Sequence, residues 1–244
     1  MNGTSFLATG ATSVLGRALL RRLWADPAWA GVAFYLAGRD LRTLEELCAQ
    51  AAAAGCVAYP WVLDLAGDLK EGEAGLPKLP PLKGFVFAAG AIQDQTLALM
   101  DEAAFDQVIK VNLSGHARLI KALHGQGRLA EGARGLLIGS SSGLRGQKGQ
   151  TAYAAAKGGL VDLLPMAPPG LRLNILLPPL MPSPLLDALS PEARVELFSA
   201  RLMDDPDPAA SCAEAAHFLL SDGASYIHRQ VVHADSRVTA LGWE

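Results

Sequence analysis

The sequence predicts a single-domain α/β fold, a doubly wound parallel sheet of about seven strands with helices on both faces. Two observations lead there. Short apolar runs alternate along the chain with segments whose leucines and alanines recur at helical spacing, and strands separated by helices pair in parallel through right-handed crossovers. The composition also supplies the core such a fold needs: of 244 residues, 50% are hydrophobic and only 18% charged. At this length roughly 70–75% of the unfolded surface disappears on folding, which excludes a disordered chain and suffices for one layered domain. No internal repeat and no linker interrupts the alternation, so residues 1–244 are taken as one domain.

The first unit is a strand at Thr4–Ala8 (TSFLA), a glycine-bearing turn and a helix over Val14–Trp24. Val32–Ala37 (VAFYLA) follows as a buried strand. Its helix runs from Leu41 to Ala54, with Leu41, Leu44, Leu47 and Cys48 on one stripe and Gly55 as a stop. Val57–Leu63 and Phe85–Ala88 are two further strands, and the Gly- and Pro-rich stretch between them predicts a short or irregular crossover. Asp101 is placed to cap a long helix reaching His124, with Met100 and Phe105 as a hydrophobic staple and Gly125 beyond its end. Leu136–Gly139 is the next strand, Thr151–Leu164 the next helix and Leu171–Leu177 the sixth strand. Asp207 followed by Pro208 opens a last helix ending near Gly223, and Gln230–His233 completes the sheet.

A formal charge of −3 with scattered Lys and Arg gives no electrostatic reason for nucleic acid or an anionic membrane as partner. Met1–Gly16 lacks the features of an export signal, and Leu173–Leu189 is too broken by proline to span a bilayer, so a soluble cytoplasmic protein is expected. Cys48, Cys56 and Cys212 are an odd set without C-x-x-C spacing, which points to unpaired thiols and away from a disulfide framework or a zinc site. His116, His124, His217, His228 and His233 show no metal-ligand spacing. They read as surface or partner-satisfied residues, and no metal is expected. The low charged fraction fits a chain that buries surface between subunits, hence a homodimer or homotetramer.

The chemistry-bearing residues lie at strand ends and on one helix. In Thr9-Gly10-Ala11-Thr12-Ser13-Val14-Leu15-Gly16, glycines between a strand and a helix let the backbone approach a pyrophosphate at the positive helix end. The plain alternative is an ordinary turn that uses Gly for positive φ. Tyr153 and Lys157 stand i,i+4 on one helix face, so the Lys charge favours the phenolate and lowers the Tyr pKa from about 10 toward neutrality. A phenol so placed can act as a general acid toward an oxygen that gains negative charge, with Ser140 hydrogen-bonding that oxygen. A solvated i,i+4 pair is the alternative for Tyr153 and Lys157, and an exposed polar residue for Asn112.

Taken in order, these residues resemble the short-chain dehydrogenase/reductase family over nearly the whole chain. The opening turn is similar to T-G-x-x-x-G-x-G, Phe87–Gly90 to N-N-A-G, and Val111-Asn112-Leu113-Ser114-Gly115 to V-N-L-x-G. Ser140, thirteen residues before Tyr153, matches the catalytic serine, and Tyr153-Ala154-Ala155-Ala156-Lys157 matches Y-x-x-x-K. Leu171–Asn174 with Pro178 resembles I-R-V-N followed by P-G, and Ser221–Ile227 resembles S-D-x-A-S-Y-x.

The resemblance implies a Rossmann-type fold and an oxidoreductase that interconverts a carbonyl and a secondary alcohol of a small molecule, a 3-oxoacyl compound or small apolar ketone among them. The implied catalytic set is Asn112, Ser140, Tyr153 and Lys157, with Lys157 also holding the nicotinamide ribose and Asn112 keeping a water for proton relay. Implied cofactor contacts are Gly10, Thr12, Ser13, Leu15, Gly16, Arg39, Asp64, Leu65, Ala88, Ala89, Gly90, Tyr153, Lys157, Pro178, Met181 and Ser183. Relatives that bind NAD carry a carboxylate where Gly38 falls; here Arg39 follows, which suits a 2′-phosphate. NADP(H) is therefore expected, with NAD(H) as the alternative should Asp40 take the carboxylate's place.

Several positions depart from the pattern. Val14 replaces the middle glycine of the turn, Gly139 a serine, Pro179 the glycine of P-G, and Arg229 and Ser236 two late glycines. The stretch from Lys157 to Arg172 is shorter than usual by roughly one helical turn and contains Pro165. These departures keep open a non-catalytic nucleotide-binding protein, a sensor or partner-binding subunit on the same scaffold. Residues around 180–207 fall where the family keeps its substrate lid, and Leu185, Leu186, Leu189, Phe198 and Met203 either line it or form the buried stripe of a helix.

Overall fold

The computed structural model describes residues 3–67, 76–181 and 205–234. The strands are β1 (Ser5–Thr9), β2 (Ala33–Gly38), β3 (Val57–Val62), β4 (Leu82–Phe87), β5 (Leu129–Ile138), β6 (Arg172–Leu177) and β7 (Val231–His233). They form one sheet in the order β3-β2-β1-β4-β5-β6-β7, with every pairing parallel. The helices are α1 (Val14–Trp24), α2 (Leu41–Ala53), α3 (Glu102–Ile109), α4 (Gly115–Gly125), α5 (Ser142–Arg145), α6 (Thr151–Leu163) and α7 (Pro208–Leu219). The chain builds outward from β1 in one direction and from β4 in the other. The crevice above the carboxyl ends of β1 and β4 is thus the switch point at which such sheets bind ligands.

Strand alternation fills two cores. In β1, Phe6 and Ala8 join the core beneath α1 and α7, while Leu7 joins Phe85, Phe87, Leu119 and Leu160 on the opposite face. The central strands are buried on both sides, which is why they read as unbroken apolar runs. At the edge of the sheet, β3 exposes Val57, Tyr59 and Val62 and tolerates Pro60, which cannot donate to a ladder.

Three expectations need correction. Asp101 does cap its helix, accepting from Ala104 N–H at 2.8 Å, but the helix changes to π-helical geometry over Lys110–Ser114. The cause is tertiary: the Asn112 amide bonds Ala91 and reaches back to the Val108 carbonyl, competing with the regular ladder. Next, β5 starts seven residues earlier than expected, at Leu129 and not Leu136. Gly132 at φ 71° and a register shift against β4 admit the polar prefix, whose charges disguise it as a loop. Last, α7 stops at Leu219, and Asp222–Ala224 is a separate 3₁₀ turn. The shortened α6 runs into a 3₁₀ turn at Leu164–Met166 that includes Pro165. Of the β3–β4 crossover, residues 76–81 hold no helix, and 68–75 lie outside the described residues.

α7 is tied to α1 by Arg22–Glu214, at 2.7 Å, and by His217, which pairs with Asp26 just beyond α1. The Ala28 N–H, and after it His217, hold the Asp26 carboxyl below the usual carboxylate range. A depressed folded pKa means stability that is present above the unfolded value and lost as pH falls through the folded one. Asp26→Ala is expected to cost about 1 kcal/mol at pH 7, a fall in Tm of about 2–4 °C. The gap to wild type should close in melts below about pH 4.

Candidate active site

The crevice is closed at its floor by backbone. Gly10 has φ 64°, and a Cβ there would lie 2.5 Å from Ala89 N and 2.6 Å from the Ala88 carbonyl carbon. Thr9 fixes this approach: its carbonyl accepts from Ala88 N–H at 3.1 Å and its hydroxyl from Ala89 N–H at 3.4 Å. Ala88, Ala89 and Gly90 are thereby brought beside the β1–α1 turn. Gly10→Ala should cost about 1–3 kcal/mol for the overlap, raised further by the left-handed backbone, and a lowered denaturant midpoint would show it. Ser13 caps α1 by accepting from Gly16 N–H at 3.0 Å, leaving other first-turn amides of the helix open. Thr12 is half-buried with its carbonyl held by Arg17, Leu15 is buried, and Val14 opens the helix with its side chain exposed.

Around the rim, Arg39 is exposed in the bend after β2. Asp40 is committed elsewhere: it caps α2, accepting from Arg42 N–H at 3.2 Å and from the Thr43 hydroxyl. Asp64 follows β3 with one carboxylate oxygen on Ala66 N–H at 3.0 Å and the side chain otherwise exposed. Leu65 is buried, its carbonyl taken by Arg118. Pro178 and Met181 stand half-buried beyond β6, whereas Ser183, Ser236 and positions 182–204 of the lid lie outside the described residues.

Ser140 lies two residues past the end of β5, its hydroxyl accepting from Ser142 N–H at 3.2 Å and standing where it favours the Tyr153 phenolate. α5 and α6 approach closely because Gly143 has no Cβ, which would fall 2.6 Å from the Lys157 carbonyl carbon. At Gly139 a Cβ would lie 2.5 Å from the tip of the Leu177 side chain, so glycine there spares Leu177 and Ile175 a shift. Lys157 is buried, with Nζ donating to the Ile138 carbonyl at 2.7 Å and standing 5.6 Å from the Tyr153 ring centre. Burial pushes the Lys157 ammonium down to about 8. Burial also raises the Tyr153 phenol, outweighing the Ser140 hydrogen bond that lowers it, and the Asp94 charge raises it further. This reverses the expected lowering by Lys157: in the protein alone the ammonium is turned to Ile138, and the phenol stays protonated at neutral pH.

Asn112 is fully buried behind the site. Its Nδ2 donates to Ala91 and Val108 carbonyls at 2.7 and 3.0 Å, and its Oδ1 accepts from Ala91 N–H. The side chain therefore shapes the Gly90–Ala91 turn and has no free donor of its own.

Sequence reasoning passes over two features. His116, expected as surface or partner-satisfied, is fully buried against Phe87 with ring centres 5.5 Å apart, and neither ring nitrogen has a hydrogen-bond partner. Its position one helical turn after Asn112 is the signal that could have found it. The second feature is a strap at the mouth: Thr151 Oγ1 donates to Gln95 O at 2.9 Å, Ser142 Oγ to Gln150 at 2.8 Å, and Asp94 bonds Gln150. Its halves are distant in sequence, and no local pattern marks them. Cys48, Cys56 and Cys212 are unpaired. Among the described residues no His, Cys, Asp and Glu group could hold a metal, and no helix is long and apolar enough to cross a membrane.

Comparison with known proteins agrees with this geometry. Residues 70–239 match the family model described as enoyl-(acyl carrier protein) reductase. Nodulation protein G of Rhizobium sp. (strain N33) is 28% identical over 99% of both chains. The (3R)-3-hydroxyacyl-CoA dehydrogenase of Rattus norvegicus is 30% identical, covering 91% of this chain and 90% of that one. Among solved structures, the angucycline C-6 ketoreductase LanV with bound NADP superposes with a TM-score of 0.80 at 20% identity, over 98% of this chain and 96% of its own, a likeness of fold. With the sheet order, the strand-end residues and the family match in agreement, the chain belongs to the short-chain dehydrogenase/reductase family of oxidoreductases.

Proposed function

We propose that the protein is an NADP(H)-dependent carbonyl reductase with Tyr153 as its general acid. The observation that carries the reading is the Tyr153 phenol on α6, placed with Ser140 just past β5 and with Lys157 one turn on, and raised by burial so that it holds its proton at neutral pH. A donor in that state matches the demand of a ketone oxygen that gains negative charge during reduction. Ser140 orients the same oxygen, and the Lys157 cation favours the phenolate left behind.

The residues present fit the dinucleotide. Gly10 lets the β1–α1 turn close onto Ala88 and Ala89 at the switch point, the first turn of α1 offers amides to a pyrophosphate, and Arg39 is exposed while the neighbouring carboxylate of Asp40 caps a helix. When bound, the nicotinamide supplies the hydride. A carbonyl or hydroxyl substrate and NADP are named for relatives and neighbours of this chain, which supports a 3-oxoacyl compound or small apolar ketone as substrate.

Calorimetric titration with NADPH and NADH tests the cofactor reading. Wild type should bind NADPH more tightly, and Arg39→Ala should weaken NADPH at least about tenfold, the loss of one charge-assisted pair, while barely changing NADH. Equal loss for both would remove Arg39 from the 2′-phosphate. Binding of neither would overturn the proposal.

A further inference from the structure

His116 is a polar side chain at the start of α4 with no exposure and no hydrogen-bond partner. From β4 it meets the Phe87 ring, from α6 the Lys157 ammonium acts on it, and from the loop after β4 the Ala89 carbonyl lies near without completing a hydrogen bond. Asn112, one turn earlier on the same helix face, is neutral and spends its amide on Ala91 and Val108. Asp94 acts on Tyr153 and not on the imidazole. Phe87 pairs with Leu137, the residue before the Ile138 carbonyl that holds the Lys157 ammonium, and α4 and α6 pack on the same face of the sheet, so the His116 ring and the ammonium stand over neighbouring strand ends. Lys157 donates to Ile138, and an ammonium has further N–H groups to place.

We propose that His116 is a positioning residue for Lys157: one ring nitrogen donates toward the Ala89 carbonyl, and the other accepts, through one bridging water, a hydrogen bond that begins at the Lys157 ammonium. Buried polar atoms without protein partners are the usual hosts of such a water. Burial holds the imidazole down to about 3, so it is neutral at pH 7 and offers a lone pair. An acceptor beside a buried ammonium favours its charged form. His116 thereby keeps Lys157 cationic in a pocket whose burial works against the charge, and it does so where the Asn112 amide is already engaged. This rests on the Tyr153–Lys157 reading given under Proposed function for its bearing on turnover, while the His116–Lys157 coupling belongs to the protein alone.

The test is an NMR titration of the Lys157 side-chain carbon in the whole protein, its signal identified by its loss in Lys157→Met. His116→Phe keeps a ring against Phe87 and removes both nitrogens; His116→Gln keeps a donor and an acceptor. The Lys157 midpoint should fall by about one pH unit in His116→Phe, roughly the worth of one hydrogen bond to a charged group, and return close to wild type in His116→Gln. A packing role predicts the opposite order, with Phe tolerated and Gln disruptive. An unmoved midpoint in His116→Phe overturns the inference, and His116→Leu serves the same comparison if the Phe variant does not fold. If wild type reduces ketones, the alkaline limb of kcat should shift with the midpoint. A midpoint that moves in a protein with no turnover overturns the reductase reading and leaves the coupling standing.

Discussion

Tyr153→Phe should lower turnover by about 10²–10⁴-fold, the usual contribution of a positioned acid, with NADPH affinity changed less than about twofold, well under 1 kcal/mol. The substitution removes one hydroxyl of a half-buried side chain, on which Ser140 acts, and leaves the ring in place. Stability should fall by no more than about 0.5–1.5 kcal/mol, the net worth of one hydrogen bond. Stopped-flow or steady-state ketone reduction, run beside calorimetry of cofactor binding, separates the two quantities. Turnover that survives within tenfold would mean that another group supplies the proton. Because burial raises the phenol, wild-type reduction should persist above neutral pH, and a sharp loss below pH 7 would contradict a protonated donor.

Lys157→Met is the second large effect, and it has two independent readouts. Turnover should collapse, because the variant leaves no cation beside the phenolate. Stability should respond in the opposite sense to the usual loss of an ion. The folded pKa of Lys157, about 8, lies below the ordinary 10.5, so between those values the unfolded chain binds more protons than the folded one. Stability of wild type therefore rises with pH across that window, and below it the full cost of burying the charge is present. Met fills the aliphatic path without the charge, although the Ile138 carbonyl loses its donor. Urea titrations should show little difference at pH 7, and a wild-type advantage that grows by up to about 3 kcal/mol toward pH 10.5. A variant that melts far below wild type at pH 7, with no pH-dependent difference, would show that the ammonium is well stabilised in the fold.

The alternation of apolar runs, the glycine turn and the helix starts at Asp101 and Asp207 are local features, and residue order along the chain is enough to make them legible. The same holds for Ser140, Tyr153 and Lys157, whose spacing is fixed by one helix and the strand end before it. β5 is longer than its apolar run because its pairing with β4 is decided by neighbours in space. Arg134 reaches the Leu220 carbonyl and Asp222, contacts that make a polar stretch worth including in a sheet.

Electrostatics divides the two sources most sharply. Sequence spacing puts Lys157 beside Tyr153, and from that alone the phenol pKa should fall. Only the folded chain shows that Lys157 is buried and Tyr153 half-buried, and that the ammonium is turned toward Ile138, so that the phenol rises instead. His116 follows the same logic, since nothing in its neighbours along the chain says that Phe87 and Lys157 will enclose it. Residue order by itself determined the fold, the family and the candidate reactive side chains, because helix and strand periodicity and short motifs are properties of adjacent residues. Tertiary structure alone decided which of those side chains are protonated, because desolvation depends on everything that packs around a group.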